Sequence, residues 1–180
     1  MELTTQRLLL RELLESDAEM AHRYESNPDV VRYQSNGVRS LEESRAHILK
    51  SQAQAQELPR RVFDLAVTLA DRRYIGRVGL GVQDAEGGQG MLWWVIDPAY
   101  QGQGFAHEAA VRLIRFGFVE LGLHRIYIDV DPRNTASVRL AEKLGMRREG
   151  LLREAAFIKG EWVDSMILAL LAQEHGNGAR

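Results

Sequence analysis

Apolar and polar residues mark out the elements of this chain by their spacing. Leu8, Leu9 and Leu10 ahead of Arg11 predict a short strand over residues 8–11. Ser16 and Glu19 are spaced as a capping box, in which hydroxyl and carboxylate satisfy free amides at a helix start, so a helix is expected from there to about Ser26. Asn27-Pro28 breaks it, and a polar loop follows through Gly37. Ser40 and Glu43 repeat the capping signature and open a second helix towards Gln56. Its middle is polar apart from Ile48 and Leu49, which suits a helix covering a sheet edge or a substrate cleft.

From Val62 the period falls to two. Phe63, Leu65, Val67 and Leu69 alternate with other residues, and Val78, Leu80 and Val82 do so again after a turn near Asp71. The Gly/Asp-rich stretch 84–90 reads as a hairpin loop into the apolar run 91–96, a central strand expected to be buried on both faces and ended by Asp97-Pro98. Helical spacing returns with Ala106, Ala110, Leu113, Gly117 and Leu121. A strand over 126–130, a turn at Asp131-Pro132, a helix from Asn134 to Leu144 stopped by Gly145, and strands near 152–158 and 163–170 complete the order. No repeat or linker divides the chain, so one mixed α/β domain over residues 1–175 is expected, with a mobile tail at 176–180.

Composition narrows the function classes. The 180 residues carry 45% hydrophobic and 27% charged side chains, ordinary for a globular domain, and a net charge of -2 that gives no global attraction to nucleic acid or anionic membranes. There is no cysteine, which excludes disulfides, zinc-thiolate sites and any mechanism in which a thiol carries an acyl group. The five histidines lack metal-ligand spacing, so no metal is expected. The first residues lack a basic stretch followed by an apolar run, and no apolar run is long enough to span a bilayer, so a cytoplasmic location is expected.

The strongest chemical signal is the turn Gln101, Gly102, Gln103, Gly104, Phe105, Ala106 between the apolar strand and the long helix. Free amides at such a helix start converge on an anion, and phosphate is the natural guest. A dinucleotide fingerprint starting at Gly102 would need a third glycine where His107 stands, and a Walker A lysine is absent. What remains is Gln-x-x-Gly-x-Ala, carried by Gln101, Gly104 and Ala106, and here the sequence resembles the GNAT superfamily of N-acetyltransferases. The sub-pattern of Trp94, Pro98, Tyr100, Gln101, Gly102, Gly104, Ala106, Glu108 and Ala109, followed by Asn134 and Ser137, is similar to the branch that acetylates ribosomal-protein N-termini. The resemblance runs from Thr5-Gln6-Arg7-Leu8 to Trp162-x-Asp164.

The resemblance implies a mixed central sheet of about six to seven strands flanked by helices. It implies that the amides of residues 101–106 hold the pyrophosphate of acetyl-CoA, and that the backbones of Val95 and Ile96 pair with its pantetheine arm like an added strand. Asn134 would face that arm and Ser137 the sulfur; spacing alone reads equally as a helix N-cap and an incidental serine. Many members carry a tyrosine general acid where this chain has Ala141, which leaves Ser137 as the candidate acid. The branch places a glutamate base on the penultimate strand. Ala156 stands at that position, and Glu154, two residues earlier and on the same face of a regular strand, is the candidate base beside Glu108, a residue that also simply suits a helix N-terminus.

With no cysteine, the economical chemistry is direct attack of an amine on the thioester while both substrates are bound, with the Val95 amide polarising the carbonyl by resemblance. The acceptor is a protein N-terminus or a small-molecule amine such as an aminoglycoside, polyamine or amino acid. A non-catalytic acetyl-CoA-binding module is the alternative. Trp93, Trp94 and Tyr100 fit either the core or the cleft wall, and the last strand is a candidate for pairing across a homodimer.

Overall fold

Strands form where branched and aromatic residues alternate, and helices where apolar residues recur every three or four positions. In the computed structural model, which describes residues 1–84, 86 and 88–175, these patterns give β1 (Glu2–Thr4), β2 (Leu8–Glu12), α1 (Ala18–Glu25), α2 (Pro28–Val31), α3 (Leu41–Ala55), β3 (Val62–Leu69) and β4 (Tyr74–Asp84). There follow β5 (Gln89–Ile96), α4 (Phe105–Val119), β6 (Arg125–Val130), α5 (Thr135–Lys143), β7 (Arg147–Ile158), β8 (Glu161–Leu171) and α6 (Ala172–His175).

The strands make one sheet of eight, in the order β1-β2-β3-β4-β5-β6-β8-β7. Neighbours are antiparallel except β5 and β6, which run parallel and pair only where Gln89, Gly90 and Met91 face Arg125, Ile126 and Tyr127. Beyond Met91 and Tyr127 the two strands continue with no ladder between them, so the sheet splays open at its middle. That opening positions the site.

Alternation along β3 decides which helices cover which face. Leu65 and Val67 are fully buried in the main core with Leu113, Ile114 and Phe116 of α4, whereas Ala66 packs on the opposite face with Tyr24 of α1 and Ile48 of α3. Each fully buried Leu or Ile contributes roughly 1.5–3 kcal/mol of transfer free energy, so the α4 face is the principal apolar anchor of the fold.

Several expectations are corrected. The sheet has eight strands instead of six or seven, because residues 2–4 add an edge strand to β2. The Ser16–Glu19 box does not form. Asp17 instead accepts the Leu14 amide at 2.8 Å and both guanidinium nitrogens of Arg11 at 2.7 and 2.8 Å, so the helix starts through a 3₁₀ turn. The Ser40–Glu43 box does form, with amide contacts of 3.1 and 2.7 Å. The polar loop after Asn27 contains α2, capped by the Asn27 side chain on the Asp29 amide. β5 is not buried on both faces throughout: Met91, Trp93 and Trp94 are half-buried where the strands part. The last strand, β8, is flanked by β6 and β7, so the free edge at this end belongs to β7 and not to β8. The tail 176–180 lies outside the described residues.

Candidate active site

At the open end of the splay, β5 gives way to the loop that precedes α4. Gln101 folds back so that its side-chain amide donates to the Ile96 carbonyl at 2.8 Å, tying the loop to the end of the strand. Gly102 and Gly104 have φ of +74 and +82, left-handed values that cost an L side chain roughly 1–2 kcal/mol. With Gly104 as N-cap, α4 starts at Phe105. Among the described residues, the amides of residues 102–107 donate to no acceptor within the chain. These unsatisfied donors, together with the helix dipole, form a cradle that suits an anion.

One side of the cradle is braced. The Glu108 carboxylate accepts the Thr5 hydroxyl at 2.6 Å, the Arg7 amide at 2.8 Å and the Arg7 guanidinium at 2.6 Å, and that guanidinium also donates to the Gln103 carbonyl at 3.1 Å. Burial alone would raise the pKa of Glu108; the Thr5 and Arg7 contacts outweigh it and hold the carboxyl below its usual range. Glu108 is therefore engaged as a clamp between β2's approach and α4.

Val95 and Ile96 pair on one side with Arg77 and Gly76 of β4. On the other edge of β5 no strand meets these residues, and the alternation of backbone groups, with the Asp97 amide donating to the Ile75 carbonyl of β4, turns those of Ile96 towards that edge, where they suit an extended arm. The Asn134 carbonyl oxygen caps α5 by accepting the Ser137 amide at 3.1 Å, which leaves the Asn134 amide nitrogen and the Ser137 hydroxyl without a partner among the described residues. Both side chains line a cleft of about 930 Å³ that also takes in Val95. Ala141, at the position where the resemblance implies a tyrosine, is fully buried in the main core.

Glu154 is not brought to this cleft. A register shift between Leu152 and Ala156 places it in a β-bulge at φ +50, with its amide donating to Asp164 at 2.8 Å and its side chain exposed. The expected common face with Ala156 assumed a regular strand; the bulge removes that alternation, and Ala156 lines the cleft without it.

The floor of the cleft holds a network that sequence reasoning missed. The Trp93 ring lies so close over Gly79 that a Cβ there would come within 2.0 Å of it, and its indole nitrogen points at Asp64 from 3.4 Å. Asp64 is buried and accepts from His47 at 2.9 Å, Ser51 at 3.1 Å and Arg77 at 3.4 Å. Arg77 also reaches Glu25 at 3.0 Å, and Glu25 takes Arg39 at 3.1 Å. Burial would raise the Asp64 pKa; the charge of Arg77 and the His47 and Ser51 contacts reverse the sign and lower it. The signal was a carboxylate and a guanidinium inside strands that otherwise read as apolar. Trp94 both lines the cleft and packs against the main core, whereas Tyr100 packs against the core without lining the cleft. Among the described residues no cluster of metal-ligating side chains occurs.

Residues 7–147 match the family described as "Acetyltransferase (GNAT) domain". The chain is 32% identical over 97% of its length to the uncharacterized N-acetyltransferase YnaD of Bacillus subtilis, covering 99% of that protein. An acetyltransferase (GNAT family) from Bacillus anthracis superposes with a TM-score of 0.86 at 32% identity, covering 97% of this chain and 100% of its own. Spermidine N-acetyltransferase from Vibrio cholerae, solved with CoA and spermine, superposes with a TM-score of 0.81 at 27% identity over 96% of this chain and 100% of that one. Matches of this extent show that the chain belongs to the GNAT acetyltransferases, enzymes that draw on acetyl-CoA to acetylate an amine.

Proposed function

We propose that this N-acetyltransferase joins acetyl-CoA and a primary amine in one ternary complex and lets the amine attack the thioester directly. The observation that carries the reading is the set of unpartnered amides at residues 102–107 opening beside the unpaired edge of β5. A pyrophosphate fits the first and an amide-rich pantetheine arm the second. In this reading Gln101, Gly102, Gln103, Gly104, Phe105 and Ala106 hold phosphate through the backbone, Val95 and Ile96 pair with the arm, Asn134 donates to it, and Ser137 protonates the departing sulfur. Acetyl-CoA brings an activated acyl group; the protein contributes orientation and the exclusion of competing geometries.

For the acceptor, we favour the N-terminal amine of a peptide or protein over a polyamine. The cleft carries six Lys and Arg side chains, among them Arg32, Lys50 and Lys159, against five Asp and Glu. Such a balance does not concentrate a polycation. The likeness to the Vibrio cholerae spermidine enzyme favours the second reading, a polyamine acceptor. The reading also includes a cytoplasmic location and a homodimer.

Isothermal titration with acetyl-CoA, CoA and ATP in parallel tests the core of the proposal. Preference for the two CoA species is expected; a folded protein that binds neither would end the reading. Thiol release with peptide amines and spermidine then separates the two acceptors.

A further inference from the structure

Resting on the acetyl-transfer reading, we propose that Asp129 is the base that takes the acceptor's proton, oriented by Ser165. Asp129 lies on β6 two residues beyond Tyr127, the last β6 residue paired with β5, which puts it just past the vertex of the splay. Counting on two residues from Met91 and Tyr127 sets Trp93 and Asp129 at matching levels on the two diverging strands, each projecting to the same face as the residue two before it. Both line the cleft.

The reactive end of the bound arm comes to the same place. An extended arm that starts at the anion cradle and runs back beside Ile96 and Val95 reaches the level of Trp93 after three residues of strand, roughly 10 Å. The thioester is then held between Trp93 on one strand and Asp129 on the other.

The other carboxylates of the cleft are engaged or displaced. Asp64 is buried among Arg77, His47 and Ser51. Asp131 and Glu161 share the Arg133 guanidinium at 2.6 and 2.9 Å. Asp164 accepts the Glu154 amide and so holds the bulge. Asp129, which lines the cleft, has no cation partner among the described residues; the Ser165 hydroxyl donates to its Oδ1, and its Oδ2 has no partner among them. A carboxylate with one oxygen anchored by a neighbour and the other available matches the arrangement in which a base is itself oriented by a third group.

The proton balance is simple. The acceptor arrives as an ammonium, and one of its protons passes to the Asp129 carboxylate. The freed nitrogen lone pair bonds to the carbonyl carbon, and the carbon–sulfur electron pair departs on sulfur. A second nitrogen proton reaches sulfur by way of the Ser137 hydroxyl, which donates one proton and regains one. CoA leaves as the thiol, and Asp129 releases its proton to water.

The test compares wild type with Asp129→Asn in acetyl transfer to two probe amines at neutral pH, ethylamine and hydroxylamine, with acetyl-CoA affinity measured alongside. Ethylamine is protonated at that pH and needs a base; hydroxylamine is largely neutral and does not. The asparagine retains an oxygen for Ser165. We expect the ethylamine rate to fall about 10²-fold or more, while the hydroxylamine rate and acetyl-CoA affinity stay within about twofold. Ser165→Ala, a positioning change, is expected to show the same selectivity at smaller size. An unchanged ethylamine rate in Asp129→Asn, or equal losses on both amines, overturns the assignment. A wild-type protein that binds acetyl-CoA but accelerates neither reaction overturns it too while leaving the cofactor reading intact, whereas failure to bind acetyl-CoA removes the acetyl-transfer reading itself.

Discussion

Ser137 and Asn134 illustrate how one residue serves both readings that the sequence offered. The Asn134 oxygen caps α5, as the bland interpretation requires, and its nitrogen remains for a ligand, as the functional one requires. Ser137, whose amide is the capped group, keeps its hydroxyl free at the cleft. If that hydroxyl protonates the sulfur, Ser137→Ala should lower turnover about 10²-fold and leave the acetyl-CoA dissociation constant nearly unchanged, because the lost contact matters only as charge develops. Parallel loss of affinity would assign the hydroxyl to binding instead, and steady-state kinetics beside calorimetry separates the two. The Asn134 cap was legible because it depends on neighbours three residues apart. Asp64 and Arg77 were not, since their pairing joins different strands and gains meaning only from mutual burial.

At the scale of elements, α4 combines the anion cradle with six buried residues of the main core, Phe105, Ala109, Ala110, Leu113, Ile114 and Phe116. Leu113 is fully buried beneath it and Ile114 nearly so. Leu113→Ala should destabilise the protein by about 2–5 kcal/mol, the lost transfer energy plus the cavity that remains. The same variant should weaken acetyl-CoA binding less than it weakens folding, since the cradle amides lie two turns away; chemical denaturation and calorimetry on one sample test both. The periodicity of α4, the second capping box and the central strands could be read directly, because each is a local pattern. The bulge in β7 could not, and it was the bulge that took Glu154 away from the face of Ala156. Nothing in residues 152–156 distinguishes a regular strand from an irregular one; the partner strand does.

Over the whole molecule, acidic stability follows from several carboxylates at once. Asp64, Glu108 and Asp131 all have folded-state pKa values below the usual range. Burial opposes the shift at Asp64 and Glu108, and the Arg77 charge and the Thr5 and Arg7 contacts respectively prevail; at Asp131 the Arg133 contact dominates. A depressed folded pKa stabilises the native state above the unfolded value, and that contribution is lost as pH falls through the folded value. The melting temperature should therefore hold steady near neutrality and drop as pH passes below about 4, the unfolded carboxylate range. A melting temperature that rises on acidification would contradict these assignments, and Glu108→Gln should make the fall shallower. What the sequence by itself determined was the central run of strands and helices, the glycine turn ahead of α4 and the absence of thiol chemistry, because periodicity, glycine placement and residue type act locally. The tertiary structure alone decided which carboxylates face the cleft, which are spent on Arg77, Arg133 and Arg7, and where β5 and β6 part, because burial, charge pairing and strand register are properties of residues far apart in the chain.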